Sequence, residues 1–288
     1  MTLVTHDLLR TRTLYVSDLD GTLLDPSSRV SAESAVMLNE AIAAGALFTV
    51  ATARTPATVV PLLAEVNIRI PAVVMTGASL FDLKDRSFSR LQFISPGVVE
   101  NMLDIYRRHS TSTFIYTFAG KSLEVFHIGP LNELEHGFIA QRAHTGLKHF
   151  NIPPSGESPL PRNLDNTLLL YSVQPWENAR KVYDEIRSQQ LPVSPLCYHD
   201  NFGPDWGQLE MFASTANKAK AVEAVASRVR ADRIVAFGDN INDIPLFEIA
   251  DEGVAMGNAV EELKALASFV IEANTCPAVA AHILHHTK

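Results

Sequence analysis

Short, nearly all-apolar runs alternate with helical patterns at both ends of this chain, and a long stretch of different texture separates the two ends. In the first third, residues 14–16, 47–51 and 72–75 read as strands, with helices over 31–44 and 55–65 between them. Ser31 is placed to cap the first helix and Gly45 to end it, while Pro56 stands near the start of the second. Strands that are apolar on both faces need cover on both sides, so this βαβαβ rhythm implies a parallel sheet buried between helices. After about residue 217 the rhythm resumes: a helix over 217–229 is followed by strands over 234–237, 253–256 and 269–271. Asn258 with Glu261 three positions on has the spacing of a capping box. The fold class expected is α/β: a doubly wound parallel core sheet built from residues 1–84 and 208–288, split by an inserted α/β unit over 85–207.

The insertion reads as helices over 96–109, 131–144 and 176–189, with strands over 113–118, 123–128, 167–173, 192–198 and 209–212. Residues 151–163 hold four prolines and read as a surface loop within it. A chain of 288 residues that is 47% hydrophobic and 19% charged has enough material for one large core or two modest ones. Its net charge of −8 argues against a nucleic acid held by a basic surface. Cys197 and Cys276 are far apart and lack CxxC spacing, which excludes a disulfide framework and a zinc site and fits a reducing cytoplasm. Residues 1–13 carry His6, Asp7, Arg10 and Arg12 and no apolar core of signal-peptide length, so a short lead-in is expected. No run approaches membrane-spanning length, so a soluble protein without a membrane partner is expected. Nothing in the sequence sets an oligomeric state.

Four segments fall where the core strands end or its helices begin. Asp18-Leu19-Asp20-Gly21-Thr22 follows the first strand, and Thr52-Ala53-Arg54 follows the second. Asn217-Lys218 opens the helix that restarts the core, and Gly238-Asp239-Asn240-Ile241-Asn242-Asp243 follows the strand over 234–237. Open parallel sheets bind ligands at the carboxyl ends of their strands, so these residues converge on one place. Two carboxylates about 4 Å apart repel by roughly 4 kcal/mol at an effective dielectric near 20, so such a cluster calls for a cation. Oxygen ligands without nearby His or Cys point to Mg²⁺. Free N–H groups at a helix start, a lysine that opposes the helix dipole, and a metal facing the same spot suit a phosphoryl group.

These motifs resemble those of the haloacid dehalogenase superfamily phosphatases, and within it the Cof-type group with a large α/β cap between the second and third motifs. The resemblance covers residues 14–283. It implies that Asp18 is the nucleophile and Asp20 the general acid/base. Thr52, Ala53 through its backbone N–H, Lys218 and Asn242 are then phosphate-holding residues. The metal ligands implied are Asp18, Asp239 and the backbone carbonyl at Asp20, with Asp243 supporting. Three positions depart from the usual family pattern: Ala53 and Ala219 stand where glycine is common, and Thr76-Gly77-Ala78 replaces Asn-Gly-Ala at the mouth of the site. The expected reaction is Mg²⁺-dependent hydrolysis of small phosphomonoesters, sugar phosphates or related metabolites, through a phospho-aspartate. A sugar phosphomutase and a non-enzymatic phospho-aspartate switch are the alternatives; an acid/base two residues from the nucleophile argues against the switch. Tyr198, His199, Asp200 and Asn201, near the return to the core, are candidates for substrate contact. Trp176 and Trp206 read as packing residues, Arg54 as a phosphate or surface ion-pair residue, and His282, His285 and His286 as an exposed polar tail.

Overall fold

The first third of the chain forms β1 (Thr13–Ser17), α1 (Ala32–Ala43), β2 (Leu47–Val50), α2 (Pro56–Leu62), β3 (Ala72–Val74) and a hairpin of β4 (Ser79–Asp82) and β5 (Ser87–Ser89). The middle holds α3 (Pro96–Arg108), β6 (Thr113–Ala119), β7 (Ser122–Ile128), α4 (Glu133–Arg142), β8 (Lys148–Phe150), β9 (Thr167–Pro175), α5 (Trp176–Ser188), β10 (Val193–Asp200) and β11 (Gly203–Ala213). The last part adds α6 (Lys218–Val229), β12 (Arg233–Gly238), α7 (Ile244–Ile249), β13 (Glu252–Ala255), α8 (Glu261–Lys264), β14 (Phe269–Val270) and α9 (Ala278–Thr287). This computed structural model describes residues 11–142, 146–153, 158–200 and 203–288. Most of the lead-in expected over 1–13, the end of the helix expected to reach 144, and Asn201 lie outside the described residues.

The core sheet has the order β14-β13-β12-β1-β2, with every pairing parallel. A parallel bridge from Ala51 to Val73 brings β3 alongside β2, and β3 also carries the antiparallel hairpin of β4 and β5. Local signals explain the helix ends. The Ser31 hydroxyl accepts the Ser34 N–H at 3.0 Å, and Gly45 follows α1 with φ of 108°. α2 stops at Leu62 rather than near 65, and Pro61 in its last turn removes one N–H from the helical ladder.

The expected capping box at Asn258 and Glu261 does not form. α8 starts after Val260, while the Asn258 amide donates to the Gly21 carbonyl at 2.8 Å and its oxygen accepts the Asn274 N–H at 3.0 Å. Two distant partners outcompete the local one. The histidine tail is also more tied down than expected, since His282 lies against Phe237 and 3.6 Å from Glu252 on the inner side of α9.

The second sheet has the order β10-β11-β9-β6-β7-β8 and is antiparallel except between β7 and β8. Its alternation sends Ile115, Leu170, Leu209 and Met211 to one face, where Val99, Leu103 and Tyr106 of α3 and Val182 and Ile186 of α5 bury them. The opposite face carries Phe114, Tyr116, Leu169 and Tyr171, which pack with the core cluster. β11 runs through positions 207 and 208 and pairs on both sides within this sheet, so the hydrogen-bonded unit reaches Ala213. Position 84 falls in the turn between β4 and β5, which pair with each other. Among the described residues no helix is long and apolar enough to cross a membrane.

Candidate active site

The carboxyl ends of β1 and β12 are adjacent, and the Asp18 N–H donates to the Phe237 carbonyl at 3.0 Å. Past this tie the chain winds through residues 19–23 and closes the turn with Leu24 N–H on the Leu19 carbonyl at 2.9 Å. Gly21 makes the turn possible. Its φ is +75°, and a Cβ there would sit 2.2 Å from Asp239 Oδ2. Thr22 donates its hydroxyl to Asp239 Oδ1 at 3.0 Å, which couples the first and fourth motifs.

Lys218 is the first residue of α6, and its side chain is buried. Its Nζ donates to Asp18 Oδ1 at 2.7 Å and to Asp243 Oδ1 at 3.0 Å. Burial alone pushes this amine's pKa down, but Asp18 and Asp243 together push it up further, so the lysine is charged. The unfavourable helix position is thereby offset by two carboxylates. A turn at Met75, Thr76 and Gly77 with φ of 52°, 54° and 86° braces the start of α6. A Cβ on Gly77 would meet the Asn217 carbonyl at 2.3 Å, so only glycine allows that approach. Thr76, where the family commonly has asparagine, holds a left-handed conformation that a β-branched residue rarely adopts.

Asp243 is fully buried. Besides Lys218 it receives the N–H groups of Asp239 at 3.2 Å and Asn240 at 3.3 Å. Asn240 caps the turn over 241–243, and Asp243 completes a capping box with it. Asn242 is exposed and makes no side-chain hydrogen bond among the described residues.

One oxygen each of Asp18, Asp239 and Asp243 lie within 4.8 Å of one another. Lys218 is the only cation hydrogen-bonded to this trio among the described residues, leaving an excess of negative charge. Burial, then neighbouring Asp243, pushes Asp239 up to about 6. Burial likewise drives Asp18 up to about 7 against the pull of Lys218. Asp18 Oδ2 and Asp239 Oδ2 accept no hydrogen bond among the described residues. The all-oxygen donor set and this uncompensated charge fit a hard divalent cation.

The Asp20 side chain stands apart from the trio. Arg54 grips it through both oxygens, with Nε to Oδ2 at 2.7 Å and Nη2 to Oδ1 at 2.6 Å. The partner of Arg54 is therefore the second aspartate of the first motif, a pairing that local sequence does not signal. Thr52 is buried, and its hydroxyl accepts the Arg54 N–H at 3.1 Å. Asp20, Ala53 and Arg54 border a cleft of about 250 Å³ whose other wall is the second sheet and α4: Tyr116, Phe138, Arg142, Lys148, Tyr171 and Glu210 among others. The sequence reading passed over these wall residues, apart from Tyr198, which also borders the cleft. The signal available was the alternation of aromatic and polar residues along β6, β9 and β11. His199 stacks on Trp176 with ring centroids 3.7 Å apart and does not border this cleft.

A family profile described as haloacid dehalogenase-like hydrolase matches residues 15–283. The chain belongs to this family. Among its relatives is the 5-amino-6-(5-phospho-D-ribitylamino)uracil phosphatase YwtE of Bacillus subtilis, 28% identical over 89% of this chain and 92% of that protein. The pyridoxal phosphate phosphatase YbhA of Escherichia coli is 23% identical over 93% of this chain and 96% of that protein. A haloacid dehalogenase-like hydrolase from Bacteroides thetaiotaomicron shares the fold with a TM-score of 0.73 at 21% identity, covering 95% of this chain and 99% of that one. The subclass IIB sugar phosphatase BT4131 does so with a TM-score of 0.69 at 20% identity, covering 96% and 99%. The chain is thus an enzyme, a Cof-type hydrolase.

Proposed function

We propose that this hydrolase is a Mg²⁺-dependent phosphatase that works through a phospho-aspartate on a small phosphorylated metabolite, a sugar phosphate or a related compound. The observation that carries this reading is the bond from buried Lys218 to Asp18 Oδ1, beside two carboxylate oxygens, Asp18 Oδ2 and Asp239 Oδ2, that accept no hydrogen bond among the described residues. Asp18, Asp239 and the backbone carbonyl of Asp20 would hold Mg²⁺, which when bound supplies positive charge to phosphoryl oxygens. Asp243 supports the site from beneath by holding Lys218 and the turn after β12.

Asp18 attacks phosphorus, and the bond from phosphorus to the leaving oxygen breaks as the acyl phosphate forms. Asp20, once it has left Arg54 and taken a proton from solvent, gives that proton to the leaving alkoxide and later takes one from the attacking water. That water releases phosphate and restores Asp18. Lys218, the Thr52 hydroxyl, the Ala53 N–H and Asn242 hold the phosphoryl oxygens. Residues 85–207 serve as the cap that reads the organic half of the substrate. Relatives named for ribitylaminouracil and pyridoxal phosphates support a small-metabolite substrate. The net charge of −8 supports an enzyme without a nucleic-acid partner, and two distant cysteines without CxxC spacing support a cytoplasmic one. The test is release of inorganic phosphate from a panel of phosphorylated metabolites. Excess chelator should abolish it, Mg²⁺ should restore it, and larger Ca²⁺ should restore little. Full activity in excess chelator overturns the site as drawn.

A further inference from the structure

Lys148 lies on β8 with 2% of its surface exposed and borders the cleft. Pairing runs from Phe150 through Val125 and Tyr116 to Leu169, and two positions earlier Lys148 pairs with Leu123. The lysine therefore stands on the sheet face that lines the cleft, with Asp20 on the opposite wall. Its Nζ is 5.1, 5.7 and 5.9 Å from the ring centroids of Tyr116, Phe138 and Phe150. Among the described residues it makes no hydrogen bond and no ion pair. Buried ammonium groups are held by acceptors; ring faces contribute about 0.5 to 2 kcal/mol each and do not replace one. Burial first, and the Arg142 charge second, push this amine down to about 7. The same cleft runs from Lys148 to Asp20 and Ala53, and apolar surface from Tyr116, Phe138, Leu169 and Tyr171 lines the space between.

We infer that Lys148, with Arg142 beside it, determines specificity by taking an anionic oxygen at the far end of a substrate whose middle is a flat, largely apolar ring. This rests on the phosphatase reading above, which puts the ester phosphate at the end that Asp20 and Ala53 border. A cleft of about 250 Å³ limits the leaving group to ring size.

The test compares phenyl phosphate with 3-carboxyphenyl and 4-carboxyphenyl phosphate on the full chain and on Lys148→Met, which keeps the stem and removes the charge. The readout is the ratio of kcat/KM for each carboxylated ester to that for phenyl phosphate within one protein. A ratio of tenfold or more, carried by KM, is expected for at least one carboxylated ester in the parent protein, and a ratio near one in the variant. The parent ratio should fall between pH 6.5 and 8.5 as Lys148 loses its proton, while the variant ratio holds steady or falls less. Arg142 of α4, the tyrosines 116, 171 and 198, Glu210 of β11, and Asp20 and Arg54 of the core also face the cleft. All are common to both proteins, so the difference between the profiles belongs to Lys148. Equal ratios in parent and variant overturn the inference, whatever the absolute rates. Calorimetric binding of the same esters to Asp18→Asn, with and without Lys148→Met, separates the two readings. If no ester is hydrolysed, the phosphatase reading falls and the binding ratio alone decides the role of Lys148.

Discussion

Asp18 and Asp20 are two residues apart but occupy different environments, one buried against Lys218 and the other half exposed in the grip of Arg54. Their substitutions should separate accordingly. Asp18→Asn should abolish turnover on every ester. Asp20→Asn should slow alkyl esters at the first step; on an aryl phosphate, whose leaving group needs little protonation, it should give a burst of aryl alcohol and then slow turnover. Rapid-mixing kinetics checks this, and two equally dead variants without a burst would assign Asp20 another role. Glu210 offers a second test at this scale. It is buried, one oxygen accepts the Tyr198 hydroxyl at 3.0 Å, and burial lifts its pKa from 4.5 to about 7. The folded protein therefore holds this proton to higher pH than the unfolded chain does, and its stability falls as pH rises from 4.5 toward about 7. Glu210→Gln removes that loss, by up to roughly 3 kcal/mol at about 1.4 kcal/mol per pH unit. Denaturant unfolding should show the variant gaining more at pH 8 than at pH 5. A gain independent of pH would count against a buried, titrating carboxyl.

Four segments of the chain carry Asn followed three residues later by an acid; Asn101 and Asp104 lie within α3, and the other three stand near the start of a helix or turn with differing outcomes. At Asn240 and Asp243 the reciprocal box forms and also serves Lys218. At Asn132 and Glu135 it forms as well, with the Glu135 N–H donating to Asn132 Oδ1 and the Asn132 N–H to Glu135 Oε2, both at 3.0 Å. At Asn258 and Glu261 it does not, because Gly21 and Asn274 take the asparagine. Glu135 is fully buried and also accepts the Ser112 hydroxyl at 2.8 Å, so it pins the start of α4 to the second sheet. That helix carries Phe138 and Arg142 over the cleft. Glu135→Ala should therefore destabilise the protein by about 2 to 4 kcal/mol, since it strands buried donors. It should also raise KM for cap-selected substrates. Equilibrium unfolding checks the first effect, and a loss under about 0.5 kcal/mol, the size of an ordinary surface substitution, would refute the pinning role.

Across the whole molecule, the first and last segments of the chain meet at one carboxylate cluster, because β1 lies between β2 and β12 in the core sheet. A cation held there links residues more than 200 positions apart in the native state alone. Mg²⁺ at 100 times its dissociation constant should stabilise the folded protein by about 2.7 kcal/mol, seen as a rise in melting temperature. Asp239→Asn should blunt that rise while leaving the fold intact. A rise of equal size in the variant would place the cation elsewhere.

The core rhythm and the nature of its strand ends were legible in the chain's local patterns. Apolar runs such as 14–16 and 234–237, and the Asp-Gly turns that follow them, are local signals that sterics and burial read in the same way wherever the rest of the chain lies. The small elements carried too little local signal: β5 and β8 are three residues each and exist because β4 and β7 offer them an edge. Only the tertiary structure decided which side chains share the cleft. Arg54 on Asp20, Asn258 on Gly21, and Lys148 across the cleft from Asp20 each depend on strand order and register between distant segments. Contact across such distances is settled by which surfaces pack best together, and no window of neighbouring residues contains that information.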